Sequence, residues 1–129
     1  MALETENLTL DEKRLSAGVA AVLNDPGKGF YILAEMESVP VASLLITFEW
    51  SDWRNQMVWW FQSVYVLPEA RKAGIFRKMF AFVESLAVEH RVAALRLYVE
   101  KDNLSAQSVY QNLQMHSGKY LFYEKVISQ

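Results

Sequence analysis

The stretch from Trp59 to Phe80, WWFQSVYVLPEARKAGIFRKMF, changes from one hydrophobic pattern to another within a few residues. Its first part is an apolar run typical of a buried strand, Pro68 ends that run, and a helical period begins at Gly74. Such a junction brings the first N–H groups of the helix to the turn. Arg71 and Lys72 lie at the same turn. The sequence therefore predicts an anion-binding site there.

The rest of the chain is predicted as helices and strands in alternation. The first predicted element is a helix over Leu10–Leu23 that begins with a capping box at Thr9–Glu12. Strands over Phe30–Met36 and Val41–Glu49, joined by a turn at Glu37–Ser38, precede a loop over Trp50–Asn55. The remaining elements are a strand over Met57–Leu67, a helix from Gly74, a strand over Leu95–Val99, a short helix after Asn103 and a strand over Tyr120–Ile127.

The strand Met57–Leu67 is apolar at nearly every position, so we expect it in the middle of the sheet. It should run parallel to Leu95–Val99 through a right-handed helical connection, while the other strands pair antiparallel. The helix from Gly74 is expected to pack on the sheet through Ile75, Met79, Phe82, Val83 and Leu86.

Composition limits the classes of function. The 129 residues, 52% of them hydrophobic, predict a single domain over 1–129. A net charge of −2 gives no basic field for nucleic acid or an anionic membrane. There is no cysteine, and His90 and His116 lie far apart, so no metal is expected. The first residues lack an apolar signal core and no apolar run is long enough to span a bilayer, which predicts a soluble, cytoplasmic protein.

The residue order Arg71, Gly74, Phe76 resembles the acetyl-CoA-binding motif of the GNAT family of N-acetyltransferases, which is Gln or Arg, two residues, Gly, one residue, then Gly or Ala. A short match of this kind is weak evidence alone. A second stretch matches the same family in the right order: Leu95–Val99, then Asn103, Ala106, Tyr110 and Leu113–Met115. The resemblance covers about Thr9 to Lys125.

This resemblance implies a fold and an activity. The fold is an α/β (α+β) mixed sheet flanked by helices, and the activity is acetyl-CoA-dependent transfer of an acetyl group to a primary amine of a small molecule or a peptide. Coenzyme A binding is implied for Val64, Tyr65, Val66, Arg71, Lys72, Ala73, Gly74, Ile75, Phe76, Asn103 and Ser105.

The sequence departs from the family pattern at three places. Phe76 stands where the family usually keeps a tiny residue, and its ring is expected to point into the core beside Phe80 and Val83. The family's first strand is not found, so Phe30–Met36 should be a sheet edge, which a homodimer would cover. Gln62 stands where several relatives, spermidine acetyltransferases among them, have a glutamate base, and an amide cannot take a proton near pH 7.

The catalytic candidates are Tyr110 and Gln62. At the family's tyrosine position, Tyr110 would protonate the departing thiolate, although it could also be a core aromatic with a satisfied hydroxyl. The base stays open: Glu49, Asp52 and Glu35 are candidates, and a water chain at Gln62 or Ser63 is another.

Aromatic and polar residues before and within the long strand are candidates for the acceptor site. They are Trp50, Asp52, Trp53 and Trp60, with core packing and a dimer surface as the alternatives. One of Trp59 and Trp60 must face each side of the strand. Two other functions stay open, a CoA-binding module without efficient transfer and a fragment of a longer acetyltransferase.

Overall fold

The computed structural model describes residues 12–71 and 73–128, with side chains from residue 16 onward. The elements are helix α1 (Glu12–Leu23), strands β1 (Phe30–Met36), β2 (Val39–Ser51) and β3 (Gln56–Val66), a 3-10 turn (Pro68–Ala70), helix α2 (Ile75–Glu89), strand β4 (Ala94–Arg96) and helix α3 (Leu104–Asn112). The chain divides into two compact units, one ending at Tyr98 and the other beginning at Val99.

The four strands form one mixed sheet in the order β1-β2-β3-β4. The first three are antiparallel neighbours, and β3 pairs with β4 in parallel. The predicted α/β fold, the interior position of β3 and the parallel pairing across α2 are therefore confirmed. The two central residues of the β1–β2 turn are Glu37 and Ser38, and both have positive φ. A two-residue turn of this kind matches the right-handed twist of the strands that it joins.

The core lies between the sheet and α2. Leu44 and Ile46 of β2 and Val83 of α2 are fully buried. On β3, Phe61 stacks on Phe80 with ring centroids 5.3 Å apart, and Phe76 packs against both rings at 6.2 Å. The expectation that Phe76 points inward is thus confirmed.

A second aromatic group extends this core along the same face of the sheet. Trp59 packs edge-on against Phe30 at 5.3 Å, and its ring also lies near Phe48 and His90. Because alternate strand residues point to opposite faces, Trp60 faces the other side. Of the two adjacent tryptophans, Trp59 is the core residue.

Strand β2 is longer than predicted. Trp50 and Ser51 pair with Met57 and Gln56, so the ladder continues into the predicted loop over Trp50–Asn55, and only residues 52–55 form the turn. The Asn55 N–H donates to the Asp52 carbonyl oxygen at 3.3 Å and closes it. The mixture of polar and aromatic residues at 50–55 does not indicate a strand, because the end of β2 is defined by its partners on β3.

The buried face of α2 also differs from the prediction. The buried residues are Ile75, Met79, Phe80, Val83 and Ala87. Phe82 is 53% exposed and Leu86 is only half-buried. Adjacent helical residues are about 100° apart, so Phe82 is turned well away from the direction of Val83. The predicted packing through Phe82 is wrong.

Two predicted strands are shortened or absent. Strand β4 covers Ala94–Arg96 rather than Leu95–Val99, and residues 115–128 contain no strand. A strand exists only with a ladder partner, which an alternating sequence does not itself supply. The predicted strand over Tyr120–Ile127 is wrong for this structure. The capping box at Thr9–Glu12 lies largely outside the described residues, and none of the described helices is long and apolar enough to cross a membrane.

Candidate active site

Strands β3 and β4 pair over only three residues. The parallel ladder joins Val58 to Ala94, Trp59 to Leu95 and Trp60 to Arg96, and it ends there. Strand β3 continues to Val66, whereas the chain after Arg96 leaves the strand. The two strands therefore diverge, and the later half of β3 runs on beyond the ladder.

A β-bulge lies in β3 just beyond this point. Gln62 pairs with Leu45 and Tyr65 pairs with Ser43, so Ser63 and Val64 together face the single residue Leu44. Ser63 has φ of 50°, a region that non-glycine residues rarely occupy. A bulge locally disrupts the ladder and re-aims the groups beside it, and such strained positions cluster at functional sites.

The turn that follows β3 is held by hydrogen bonds to the backbone of β2 and β3. The Leu67 N–H donates to the Val41 carbonyl oxygen at 2.8 Å, and Arg71 Nε donates to the Val66 carbonyl oxygen at 2.9 Å. The Arg71 side chain therefore ties the end of β3 to the turn, while Ala73 is exposed. Lys72 lies outside the described residues.

Gly74 is the N-cap of α2 and has φ of 72°, a left-handed conformation suited to glycine. A Cβ built there would meet no atom within 4 Å, so the space above this turn is open. The first turn of a helix presents N–H groups that no earlier helical carbonyl can accept, and the helix dipole is positive at that end.

The charge at this end of α2 suits an anion. The first turn contains no acidic residue, and the exposed Arg77 and Lys78 follow Ile75 and Phe76. An open glycine turn, helical N–H groups and several cations fit the phosphate groups of coenzyme A.

The other predicted cofactor residues lie in the C-terminal unit. Asn103 is the N-cap of α3, and its Oδ1 accepts the Ala106 N–H at 3.2 Å. Ser105 is exposed in the first turn of that helix. Tyr110 is half-buried, and burial raises the pKa of its hydroxyl above the ordinary value of 10.0.

The residues predicted for the acceptor do not form one group. Trp60 and Gln62 lie on the face of the sheet opposite α2, while the alternation of β2 places Trp50 on the α2 side with Phe48. Trp53 is 94% exposed at the tip of the β2–β3 hairpin, where Asp52 Oδ1 accepts its N–H.

The carboxylates considered as bases are placed differently from one another. Glu49 is ion-paired with Arg96, Asp52 is held in the hairpin turn, and Glu35 is exposed on β1. Glu49 pairs with Val58, five residues before Ser63, which is about 16 Å along a strand. Gln62 Nε2 approaches Thr47 Oγ1 at 3.4 Å. Across the described residues, no group of three or more His, Asp or Glu side chains could hold a metal ion.

A family model described as the acetyltransferase (GNAT) family matches residues 2–114. The match spans most of the chain, so this protein belongs to the GNAT family of acetyltransferases. No curated protein matches the chain.

Solved structures agree with this assignment. A possible acetyltransferase from Clostridium difficile 630 is 40% identical, with a TM-score of 0.92, and the match covers 99% of this chain and 85% of that one. An aminoglycoside antibiotic 6'-N-acetyltransferase from Acinetobacter haemolyticus is 18% identical, with a TM-score of 0.75 over 98% of this chain and 90% of that one. A ribosomal-protein-alanine N-acetyltransferase from Brucella melitensis biovar Abortus 2308 is 14% identical, with a TM-score of 0.72 over 85% of this chain and 79% of that one. These last two share the fold.

Proposed function

We propose that this chain is an acetyl-CoA-dependent N-acetyltransferase that acts on a primary amine of a small molecule or a peptide. The observation that carries the proposal is the interruption of β3: its ladder with β4 stops at Trp60, and a bulge at Ser63 follows directly. After the strand, a short turn leads to the N-terminus of α2, where the position of Gly74 is open. Such an opening between two strands leaves room for a donor and an acceptor to be held in line.

Each part of coenzyme A has candidate partners in the chain. The phosphate groups would bind the first-turn N–H groups of α2, together with Arg71 and Lys72. The pantetheine arm would add beside Val64–Val66 in the manner of a strand. Asn103 and Ser105 are proposed to hold the arm or its neighbouring loop.

The reaction replaces a C–S bond by a C–N bond and exchanges one proton, which leaves nitrogen while another is added to sulfur. The amine nitrogen, as the free base, attacks the thioester carbonyl carbon, a C–N bond forms, the C–S bond breaks, and the nitrogen loses a proton. The thiolate takes up a proton, so the products are an N-substituted acetamide and coenzyme A. A backbone N–H at the Ser63 bulge would donate to the developing oxyanion, which is the kind of contact that lowers such barriers most.

Tyr110 is proposed as the acid that protonates the thiolate. Its raised pKa keeps the hydroxyl protonated at neutral pH and so able to donate. Gln62, which cannot take a proton, is proposed to hold a water that carries the amine proton away. Trp60 is proposed as the acceptor contact beside the bulge, because it lies on the same face as Gln62. Trp50, Asp52 and Trp53 lie on the other face or in the hairpin turn and stay predictions from the sequence.

A second function is a CoA-binding module with little or no transfer. It is favoured by Gln62 at the position of the glutamate base and by the ion pair that engages Glu49. Calorimetry with acetyl-CoA and CoA, followed by a thiol-release assay over a panel of amines, separates the two. The enzyme predicts binding and turnover of at least one amine, whereas binding without turnover on any amine supports the module. Failure to bind either form of CoA contradicts both.

We also propose that the protein is a cytoplasmic homodimer. Strand β1 is the terminal strand of the described sheet, and the hairpin that it forms with β2 exposes Leu33, Met36 and Val39. Exposed edge strands invite pairing with another chain. Sedimentation at micromolar concentration should give a dimer that Ile32→Pro converts to a monomer, because proline cannot donate to an edge ladder. A parent protein that sediments as a monomer contradicts the proposal.

A further inference from the structure

The face of the sheet opposite α2 carries a cluster of four side chains, Glu49, Trp60, Arg96 and Tyr98, which we name the Glu49 cluster. Trp60 Nε1 donates to Glu49 Oε1 at 2.7 Å. Arg96 Nη1 donates to both oxygens of Glu49, at 3.2 and 3.3 Å. The Tyr98 ring stacks on Trp60 with centroids 4.6 Å apart. The four side chains come from three adjacent strands or the residues just beyond them.

The Glu49 carboxylate is largely occupied by these contacts. It accepts one hydrogen bond from Trp60 and two from Arg96 Nη1, against the roughly four that a carboxylate can accept. A second ammonium group would have to compete with a guanidinium and an indole N–H that are already in place. The cluster therefore offers little to a second cation.

Arg96 has more unused capacity. Of the nitrogens in the Arg96 side chain, only Nη1 donates a hydrogen bond to another described residue. A guanidinium carries five N–H donors in a fixed fork. Its side chain is 36% exposed, and its Cζ lies 6.0 Å from the centre of the Trp60 ring. The edge formed by Nε and Nη2 matches the two oxygens of a carboxylate.

The position of Arg96 relates this donor edge to the opening in β3. Arg96 and Trp60 form the last rung of the β3–β4 ladder, and Ser63 lies three residues further along β3. Three residues of strand span about 10 Å, which an arginine side chain and a short aliphatic chain can bridge. A molecule that reacts at the bulge can thus reach Arg96 across the Trp60 face.

We propose that Arg96 binds a carboxylate of the acceptor, so that the preferred substrates are amines that carry a carboxylate several bonds from the nitrogen. This proposal rests on the acetyltransferase function proposed above. Trp60 and Tyr98 supply the apolar surface for the chain between the two groups. Glu49 acts as a positioning residue that holds Trp60 and Arg96.

A matched series of acceptors tests the proposal. The carboxylated members are 3-aminopropanoate, 4-aminobutanoate and 6-aminohexanoate, and the plain members are propylamine, butylamine and hexylamine, with 1,6-diaminohexane as the dication. In the parent, kcat/KM should be about tenfold to a hundredfold higher for the best carboxylated member than for the plain amine of equal length, as expected for a charge-assisted bidentate contact.

Variants assign that preference to one side chain. Arg96→Gln should reduce the ratio to about one by lowering kcat/KM for the carboxylated members, while Arg96→Lys, which keeps the charge without the fork, should give an intermediate ratio. Glu49→Gln keeps one side-chain oxygen that can accept hydrogen bonds from Trp60 and Arg96 but removes the counter-charge of Arg96, so the ratio should stay the same or rise. Arg91→Gln, at an exposed arginine in the turn after α2, is the matched control and should change nothing.

The outcomes separate this proposal from the proposed function. Turnover of amines with equal kcat/KM for both series, or a ratio that survives Arg96→Gln, overturns the Arg96 assignment and leaves the acetyltransferase standing. A preference for the diamine that Glu49→Gln removes assigns the cluster to cations instead. If no amine is acetylated, the proposed function fails, and calorimetry then decides the Arg96 assignment: 6-aminohexanoate must bind the CoA-loaded parent and not Arg96→Gln.

Discussion

The two halves of β3 have the same neighbour on one side and different surroundings on the other. From Gln56 to Trp60 the strand pairs with β2 and, from Val58, with β4, and Val58 and Trp59 are buried. Beyond Trp60 it has left the β4 ladder, carries a bulge at Ser63 and is half-buried at residues 64–66.

This difference shows how one strand can serve both stability and function. The first half is held on both edges and fixes the position of everything after it. The second half gives up one ladder and accepts a strained residue, and these are the features that a backbone needs in order to present N–H groups to a ligand. Mutations of the buried residues before the bulge, including Phe61, should therefore act on folding, and those at and after the bulge on binding and rate.

The largest expected effect is on stability. Trp59→Ala removes a buried ring that packs on Phe30, Phe48 and His90, and should lower the free energy of unfolding by about 3–5 kcal/mol. Val64→Ala, in the half-buried second half, should lower it by less than about 1 kcal/mol. Urea unfolding measures both values, and equal losses would contradict the division of the strand.

Removing the proposed acid should act mainly on the rate of the reaction. Tyr110→Phe should lower kcat more than KM, with a loss of about 2–4 kcal/mol of transition-state stabilisation. Because burial raises the pKa of Tyr110, its hydroxyl stays protonated in the folded protein up to and beyond the ordinary pKa of 10.0. The group therefore produces no alkaline loss of activity below about pH 10. An unchanged kcat in single-turnover kinetics returns Tyr110 to a packing role.

The raised pKa of Tyr110 also has a consequence for stability. The neutral hydroxyl is favoured in the folded state, so the linked contribution is complete below pH 10.0, the ordinary pKa, and is lost as the pH rises towards and through the folded pKa. Tyr110→Phe should remove that alkaline dependence.

A negative charge at the glycine turn should abolish CoA binding. Gly74→Glu puts a carboxylate where the phosphate groups are proposed to bind. It should raise the dissociation constant of CoA, measured by calorimetry, by about a hundredfold or more. Gly74→Ala separates strain from charge, since its φ of 72° costs about 1 kcal/mol of stability without adding charge. Gly18→Glu, at an open position in α1, is the matched control. CoA binding by Gly74→Glu at the parent affinity would place the site elsewhere.

The smallest expected effect is at the bulge itself. Ser63→Gly relieves the positive φ but adds backbone entropy to the unfolded chain, so its unfolding free energy should stay within about 1 kcal/mol of the parent. Ser63→Val, β-branched at the same φ, should lose about 1–2 kcal/mol. If valine is tolerated as well as glycine, the strained bulge is not a fixed feature of β3.

Several parts of the fold could be predicted from the sequence because their signals are local. The apolar run of β3, the turn at Glu37–Ser38 and the glycine before α2 each follow from a few adjacent residues. The N-cap at Asn103 belongs to the same class, since its side chain bonds three residues ahead.

What could not be predicted depends on pairing across the chain. The bulge exists because Leu44 faces two residues of β3, which neither strand records alone. Trp50 and Ser51 extend β2 only because Met57 and Gln56 return opposite them. The Glu49–Arg96 ion pair joins residues 47 positions apart, so no spacing pattern could indicate it.

Backbone hydrogen exchange, followed residue by residue with and without CoA, tests the central claim most directly. The account predicts that CoA slows exchange at amides of Val64–Val66 and of the first turn of α2, while amides of Gln56–Trp60, already held in the sheet, change little. CoA binding that leaves residues 64–66 and the start of α2 unchanged would contradict it, because the interrupted half of β3 would then not be the cofactor site.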